Sequence, residues 1–118
     1  MTLQEQLAAG APGIIAILRG VHPDEVVAVG RVLVDAGIRI IEVPLNSPQP
    51  LLSVERLCAS VASNVLIGVG TVTDVSAVDM AAAAGARLMV APNTDAAVIR
   101  RSVELHLDIV PGVMTATE

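Results

Sequence analysis

The chain contains no lysine: all seven basic residues, at positions 19, 31, 39, 56, 87, 100 and 101, are arginines. No side chain here can therefore trap a ketone as a Schiff base. Phenylalanine, tyrosine and tryptophan are also absent, which removes the usual platforms for stacking single-stranded bases. Positive charge is scarce, and the net charge is −5 over 118 residues. That balance argues against binding a phosphate backbone, so nucleic acid is not an expected partner. A small phosphorylated ligand stays compatible, because one arginine or a few backbone amides can hold a phosphate. A single cysteine, Cys58, cannot form an intrachain bridge, which fits a reducing, cytoplasmic location. No apolar run approaches the roughly 18 residues a spanning helix needs, so no membrane partner is expected. Met1–Gln6 has neither the basic start nor the apolar core of a signal peptide.

What is present is core-forming sequence: 53% of residues are apolar and only 16% charged. This suits an α/β protein whose parallel strands are buried on both faces. Five short runs rich in Ile, Val and Leu recur, at Ile14–Leu18, Ile38–Val43, Val65–Val69, Leu88–Ala91 and Leu107–Val110. Four segments of helical periodicity separate them. The first covers Pro23 to Ala36, with acids at its start and Gly37 past its end. The second is predicted to open at Ser47-Pro48, a side-chain cap followed by proline, and to run to Ser60. Thr73 or Asp74 caps the third, which ends near Gly85, and Asn93-Thr94-Asp95 opens the fourth. A preliminary turn is expected over Leu3–Ala8. Thr115 and Glu118 have capping-box spacing and read as the start of a further helix.

Strict alternation of strand and helix implies parallel strands joined by right-handed crossovers in a single domain, residues 1–118. Two architectures remain open on these grounds. A five-stranded doubly wound sheet nearly fits the length, with a ligand at its switch point. An eight-stranded barrel needs roughly 200 residues or more, so these would be its first five strands.

Polar residues gather where the apolar runs end. Arg19 closes the first run, Glu42 ends the second, Thr71 follows the third after Gly68-Val69-Gly70, and Pro92-Asn93 follow the fourth. Carboxyl ends of strands carry the active sites of parallel α/β folds. Strand alternation predicts that Glu42 shares a face with Ile40 and Ile38, and Arg19 with Ile17 and Ile15. Glu42 is either an architectural partner of Arg19 or a general acid/base whose pKa an apolar site raises. Arg19 is either its counter-ion or a forked clamp for a substrate carboxylate or phosphate. Thr71 either shapes a turn or offers a hydroxyl where the glycines let a ligand approach. Asn46 either contacts ligand or bonds its own loop. His22, His106 and Cys58 share no ligand spacing, so no metal is expected.

Taken together, Ile-Ala-Ile-Leu-Arg-Gly (15–20), Ile-Glu-Val-Pro-Leu-Asn-Ser-Pro (41–48), Ile-Gly-Val-Gly-Thr-Val (67–72), Val-Ala-Pro-Asn (90–93) and Val-Pro-Gly-Val-Met-Thr-Ala-Thr-Glu (110–118) closely resemble the 2-keto-3-deoxy-6-phosphogluconate/phosphogalactonate aldolases. The Pro-Leu-Asn-Ser segment resembles the phosphogalactonate branch, and the phosphogluconate branch typically has Thr-Leu-Arg-Thr there. The resemblance implies a (β/α)8 TIM barrel, truncated here to about its first five strands and four helices. It implies a class I, cofactor-free lyase, usually a homotrimer, which cleaves a phosphorylated keto sugar acid to pyruvate and glyceraldehyde 3-phosphate. By motif, Glu42 becomes the proton shuttle, Arg19 and Thr71 become substrate contacts, and Pro92 lines the pyruvate pocket. Asn46 replaces a carboxylate-holding arginine, a role that Arg19 would assume. The family's Schiff-base lysine and phosphate loops would lie beyond Glu118. The chain is therefore expected to be the N-terminal part of a longer enzyme, inactive alone and prone to aggregate through open strand edges.

Overall fold

The computed structural model describes residues 1–118 and shows alternating helices and strands from end to end. In chain order these are α1 (Leu3–Ala8), β1 (Ile15–Ile17), α2 (Pro23–Asp35), β2 (Ile40–Pro44) and α3 (Pro50–Ser60). Then follow β3 (Leu66–Gly70), α4 (Val75–Ala83), β4 (Leu88–Val90), α5 (Ala96–Glu104) and β5 (Asp108–Val110). The strands form one sheet, all parallel, in the order β1-β2-β3-β4-β5. That order settles the architecture. A doubly wound sheet reverses its strand order at a switch point, and no reversal occurs here. Successive right-handed crossovers instead place α2 to α5 on one side, as in the wall of a barrel.

Two apolar layers follow from strand alternation. Ile41, Val43, Ile67, Val69 and Met89 join Val26, Val54, Leu57, Val78 and Val98 of the helices in the main core. Ile40, Leu66 and Leu88 form a second, smaller layer on the opposite face, with Ile15, Val90 and Val110 packed against it. Leu3 also reaches that layer, and the Leu3 amide donates to Asp108 Oδ2 at 2.6 Å, so α1 lies across the amino end of the sheet. The Thr2 hydroxyl and the Glu5 carboxylate cap α1 reciprocally, which stabilises a helix too short to persist alone. On the edge strand β1, Ile17 stands 57% exposed, and Met114, past the end of β5, 91%. No helix is long and apolar enough to cross a membrane.

Three local expectations are corrected. Ser47 does not cap α3, which begins at Pro50 after Gln49 in a left-handed conformation, φ 41°. The residue before a proline is disfavoured in the right-handed helical region, so Pro50 moves the start past Gln49. Ile38 packs with the helix-side core and not beside Glu42, because β2 begins at Ile40 and alternation does not extend back to it. Thr115–Glu118 forms a turn and not a helix. Glu118 accepts from the Thr115 amide and hydroxyl, each at 3.2 Å, which is one half of the capping box without the helix it would cap. Asp74 and Asp95 cap α4 and α5 through bonds to Ala77 and to Ala97 and Val98.

Candidate active site

Glu42 occupies the third position of β2, between Ile41 and Val43, whose side chains face the helices. Its own side chain shares the opposite face with Ile40 and lies against Gly70 of β3. The residue is 2% exposed, and Oε2 is buried without a hydrogen-bond partner. A carboxylate so placed has lost water without gaining donors, a situation that favours the protonated form. Burial accordingly raises the Glu42 pKa above the usual 4.5, while the positive charge of Arg19 pulls in the opposite direction.

Arg19 lies two residues past the end of β1 and is exposed. Its guanidinium donates to Thr71 Oγ1 in a long contact of 3.5 Å. The ion pairs of the chain are Arg56–Asp24, Arg101–Asp79 and Arg101–Glu104. Glu42 belongs to none of them. The architectural reading of Glu42 as one half of an ion pair with Arg19 is therefore not what the geometry presents.

Thr71 is unusual in its backbone. Its φ is 59°, a conformation rare for any residue other than glycine and most strained for a β-branched one. Bonds on either side hold it there. The Leu45 amide donates to the Gly70 carbonyl at 2.9 Å, and the Val72 amide donates to the Val90 carbonyl at 3.1 Å. Gly70 does not take a left-handed φ, although glycine would do so at little cost. The strain thus falls on the residue that carries a hydroxyl.

Ser47, which the sequence suggested as a cap, supports the site by another route. It is buried, and its Oγ accepts from the Gly20 amide at 3.2 Å. The loop that carries Arg19 is thereby tied to the loop that carries Asn46. Asn46 and Pro92 are exposed at the same end of the sheet, with no side-chain hydrogen bond to the other three. Pro92 lines a separate cavity of about 120 Å³ with Thr94, Gly112 and Met114, closed by the Thr94 hydroxyl on the Gly112 carbonyl at 2.7 Å. The structure therefore brings Glu42, Arg19 and Thr71 together and leaves Asn46 and Pro92 on the rim. The largest groove, about 390 Å³ between α3 and α4, lies away from them and holds no titratable side chain among Leu45, Gln49, Pro50, Leu51, Leu52, Ala77 and Met80. No three His, Cys, Asp or Glu side chains converge as metal ligands.

A buried acid at the carboxyl end of a parallel strand, beside an arginine and a strained threonine, agrees with comparison to known proteins. The sequence model of the KDPG and KHG aldolases matches residues 6–118. The chain belongs to this aldolase family. It is 44% identical over 105 residues to the probable 2-dehydro-3-deoxy-6-phosphogalactonate aldolase of Rhizobium meliloti (strain 1021), covering 89% of this chain and 50% of that protein. The 2-dehydro-3-deoxy-6-phosphogalactonate aldolase of Escherichia coli (strain K12) is also 44% identical, with 51% of its length covered. The solved native KDPGal structure superposes with a TM-score of 0.87 at 43% identity, over 90% of this chain and 52% of that one. The chain spans about half the length of the curated relatives it matches. Within the aldolase family, its five strands correspond in fold to part of a β/α barrel.

Sequence reasoning singled out the three residues that the structure brings together, but not their neighbours Ser47 and Gly70. The function of Ser47 was masked by a credible capping pattern. Gly70 was read only as room for a ligand, and its place opposite the end of the acid's strand emerges from the pairing of β2 with β3.

Proposed function

We propose that this chain supplies the acid/base and substrate contacts of a class I aldolase acting on 2-dehydro-3-deoxy-6-phosphogalactonate, with the Schiff-base lysine outside these 118 residues. Residues 1–118 act in this reading as one domain, the N-terminal part of a β/α barrel. The observation that carries the proposal is the buried, unpartnered Glu42 carboxyl at the carboxyl end of β2. A group that gives and takes protons works best when its pKa lies near the operating pH, and burial moves Glu42 in that direction.

In the reaction, the substrate keto carbon condenses with a lysine amine and loses water. Glu42 accepts the proton of the C4 hydroxyl as the C3–C4 bond breaks, and the bonding pair moves into the iminium to leave an enamine. Release of glyceraldehyde 3-phosphate follows. Glu42 then returns a proton to C3, and hydrolysis of the resulting imine frees pyruvate and the amine. Arg19 clamps the substrate carboxylate through its forked donors, and the Thr71 hydroxyl orients the same end. Asn46 and Pro92 line the rim.

The 44% identity to two proteins named for phosphogalactonate, against 31% to the 2-dehydro-3-deoxy-phosphogluconate aldolase of Treponema pallidum (strain Nichols), supports the galactonate epimer. Asn46 supports it too. The phosphogluconate and 4-hydroxy-2-oxoglutarate activities form the second reading within the family. A cytoplasmic location fits the single cysteine. Homotrimeric assembly is part of the same reading.

The test uses the full-length protein that contains this chain. Pyruvate release from the two C4 epimers should favour the galactonate form, and borohydride with pyruvate should fix a reduced adduct on a lysine outside residues 1–118. Glu42→Gln should still bind substrate but lose turnover on the order of 10²–10⁴-fold. Undiminished turnover in that variant removes Glu42 from the mechanism.

A further inference from the structure

We propose that Gly70 is the positioning residue of the Glu42 carboxyl: the absent side chain at 70 is the seat in which that carboxyl rests. The inference rests on the reading of Glu42 as the acid/base.

Glycine at this position is not explained by backbone conformation. The glycines that need a left-handed φ are Gly10, Gly20, Gly37 and Gly85, and Gly70 is not among them. Space explains it instead. A methyl group on Gly70 would overlap both carboxylate oxygens and the carboxyl carbon of Glu42, and these are the nearest atoms it would meet. The neighbouring Gly68 differs in kind. A methyl there would strike the Leu88 carbonyl oxygen at 2.5 Å and Leu88 Cβ at 2.7 Å, so Gly68 serves the packing of β3 on β4. The two glycines of the Gly-Val-Gly run thus have separate tasks, one in the sheet and one at the carboxyl.

The arrangement restrains Glu42 in an uncommon way. A carboxyl is usually fixed by donors, yet Oε2 has none. Here the flat surface of a glycine in β3 limits where the carboxyl can lie, without a donor that would lower its pKa. Position and proton affinity are thereby set independently. A donor from residue 70 would fix the carboxyl but pull its proton affinity down.

The experiment is a cycle in the full-length protein between Gly70→Ala and Glu42→Ala, read by thermal denaturation and by steady-state rates. In the parent protein, Gly70→Ala should lower the melting temperature and reduce kcat toward the level of Glu42→Gln, on the order of 10²–10⁴-fold, with KM little changed. In the Glu42→Ala background the carboxyl is gone, and Gly70→Ala should leave the residual rate unchanged and no longer lower the melting temperature, raising it slightly instead because the unfolded chain is stiffer. Should Gly70→Ala alone fail to fold, recovery of folding in the double variant supports the same conclusion. Glu42→Asp, shorter by one methylene, should lower turnover in the parent but raise it when added to Gly70→Ala. An equal loss of stability in both backgrounds would overturn the proposal, because residue 70 would then act through something other than Glu42. Its failure is separable from that of the parent reading. If Glu42→Gln is slow while Gly70→Ala keeps full kcat, only the seat is refuted. If Glu42→Gln is fully active, the acid/base assignment falls first.

Discussion

Replacing Thr71 by glycine should make the protein more stable and less active. Thr71 sits at φ 59°, and the left-handed region costs an L-residue about 1–2 kcal/mol, with β-branched side chains at the upper end. Glycine removes that cost but makes the unfolded chain more flexible, an opposing effect of about 0.5–1 kcal/mol. The contact from Arg19, long at 3.5 Å and exposed, contributes little to stability in either direction. The balance is a gain of about 1 kcal/mol. In a protein of about 150–250 residues this raises the melting temperature by about 2–4 °C. On the proposed role of the Thr71 hydroxyl as a substrate contact, its loss, valued at about 0.5–1.5 kcal/mol, should lower kcat/KM by about 2–10-fold. Scanning calorimetry and the cleavage assay, run on the same full-length preparation, read both quantities. Thr71→Ser retains the hydroxyl and should retain activity. A glycine variant that is less stable and fully active would refute the reasoning at both steps, since the strain would be illusory and the hydroxyl idle.

The Glu42 assignment also predicts a pH dependence of stability. Its folded-state pKa lies above the usual 4.5 because of burial, so the folded state holds the proton more tightly than the unfolded state does. The associated stability is fully present below the unfolded-state pKa, about pH 4.5, and is lost as pH rises through the folded pKa. Each tenfold difference in proton affinity between the two states is worth about 1.4 kcal/mol. Urea denaturation across this range should show Glu42→Gln gaining on the parent protein as pH rises, and parallel curves would contradict the burial argument. Ser47→Ala removes the acceptor of the Gly20 amide and should cost about 0.5–1.5 kcal/mol. It should raise KM more than it lowers kcat, because it loosens the Arg19 loop and leaves Glu42 in place.

The strand-helix alternation was legible because each element carried its own local signal. Ile40–Pro44 and Leu66–Gly70 are apolar runs buried on both faces, and Asp74 and Asp95 cap the helices where side-chain chemistry predicts. Strand order was not legible, since composition and spacing permit a sequential or a reversed sheet equally well. The family resemblance, and then the observed pairing of β1 with β2 through β5, removed that ambiguity. Ser47 shows a different limit. Its position before Pro48 satisfies a capping rule, but the rule is local, and the bond that Ser47 makes reaches a loop 27 residues earlier in the chain. The φ of Thr71 was invisible for a similar reason. The bonds that flank it run to Leu45 and Val90, both distant in the chain.

The sheet meets its local rules almost everywhere except at one end of β2 and β3, and the exceptions there are coupled. Glu42 is a buried carboxyl without a donor on Oε2, Thr71 carries a conformation suited to glycine, and Gly70 sits in strand geometry suited to a side chain. Taken singly, each is a modest defect. Interchanging residues 70 and 71 would ease the backbone, but it would put a threonine side chain into the space that the Glu42 carboxyl occupies. Relieving Glu42 through a bond from Arg19 would lower its proton affinity and engage the guanidinium. The three departures therefore stand or fall together, and what they jointly preserve is an acid of raised pKa beside a hydroxyl and a guanidinium that forms no ion pair. A fold selected for stability alone has a simple alternative available, an apolar residue at 42 continuing the Ile40 layer. That this alternative is not used accords with the acid/base role proposed for Glu42.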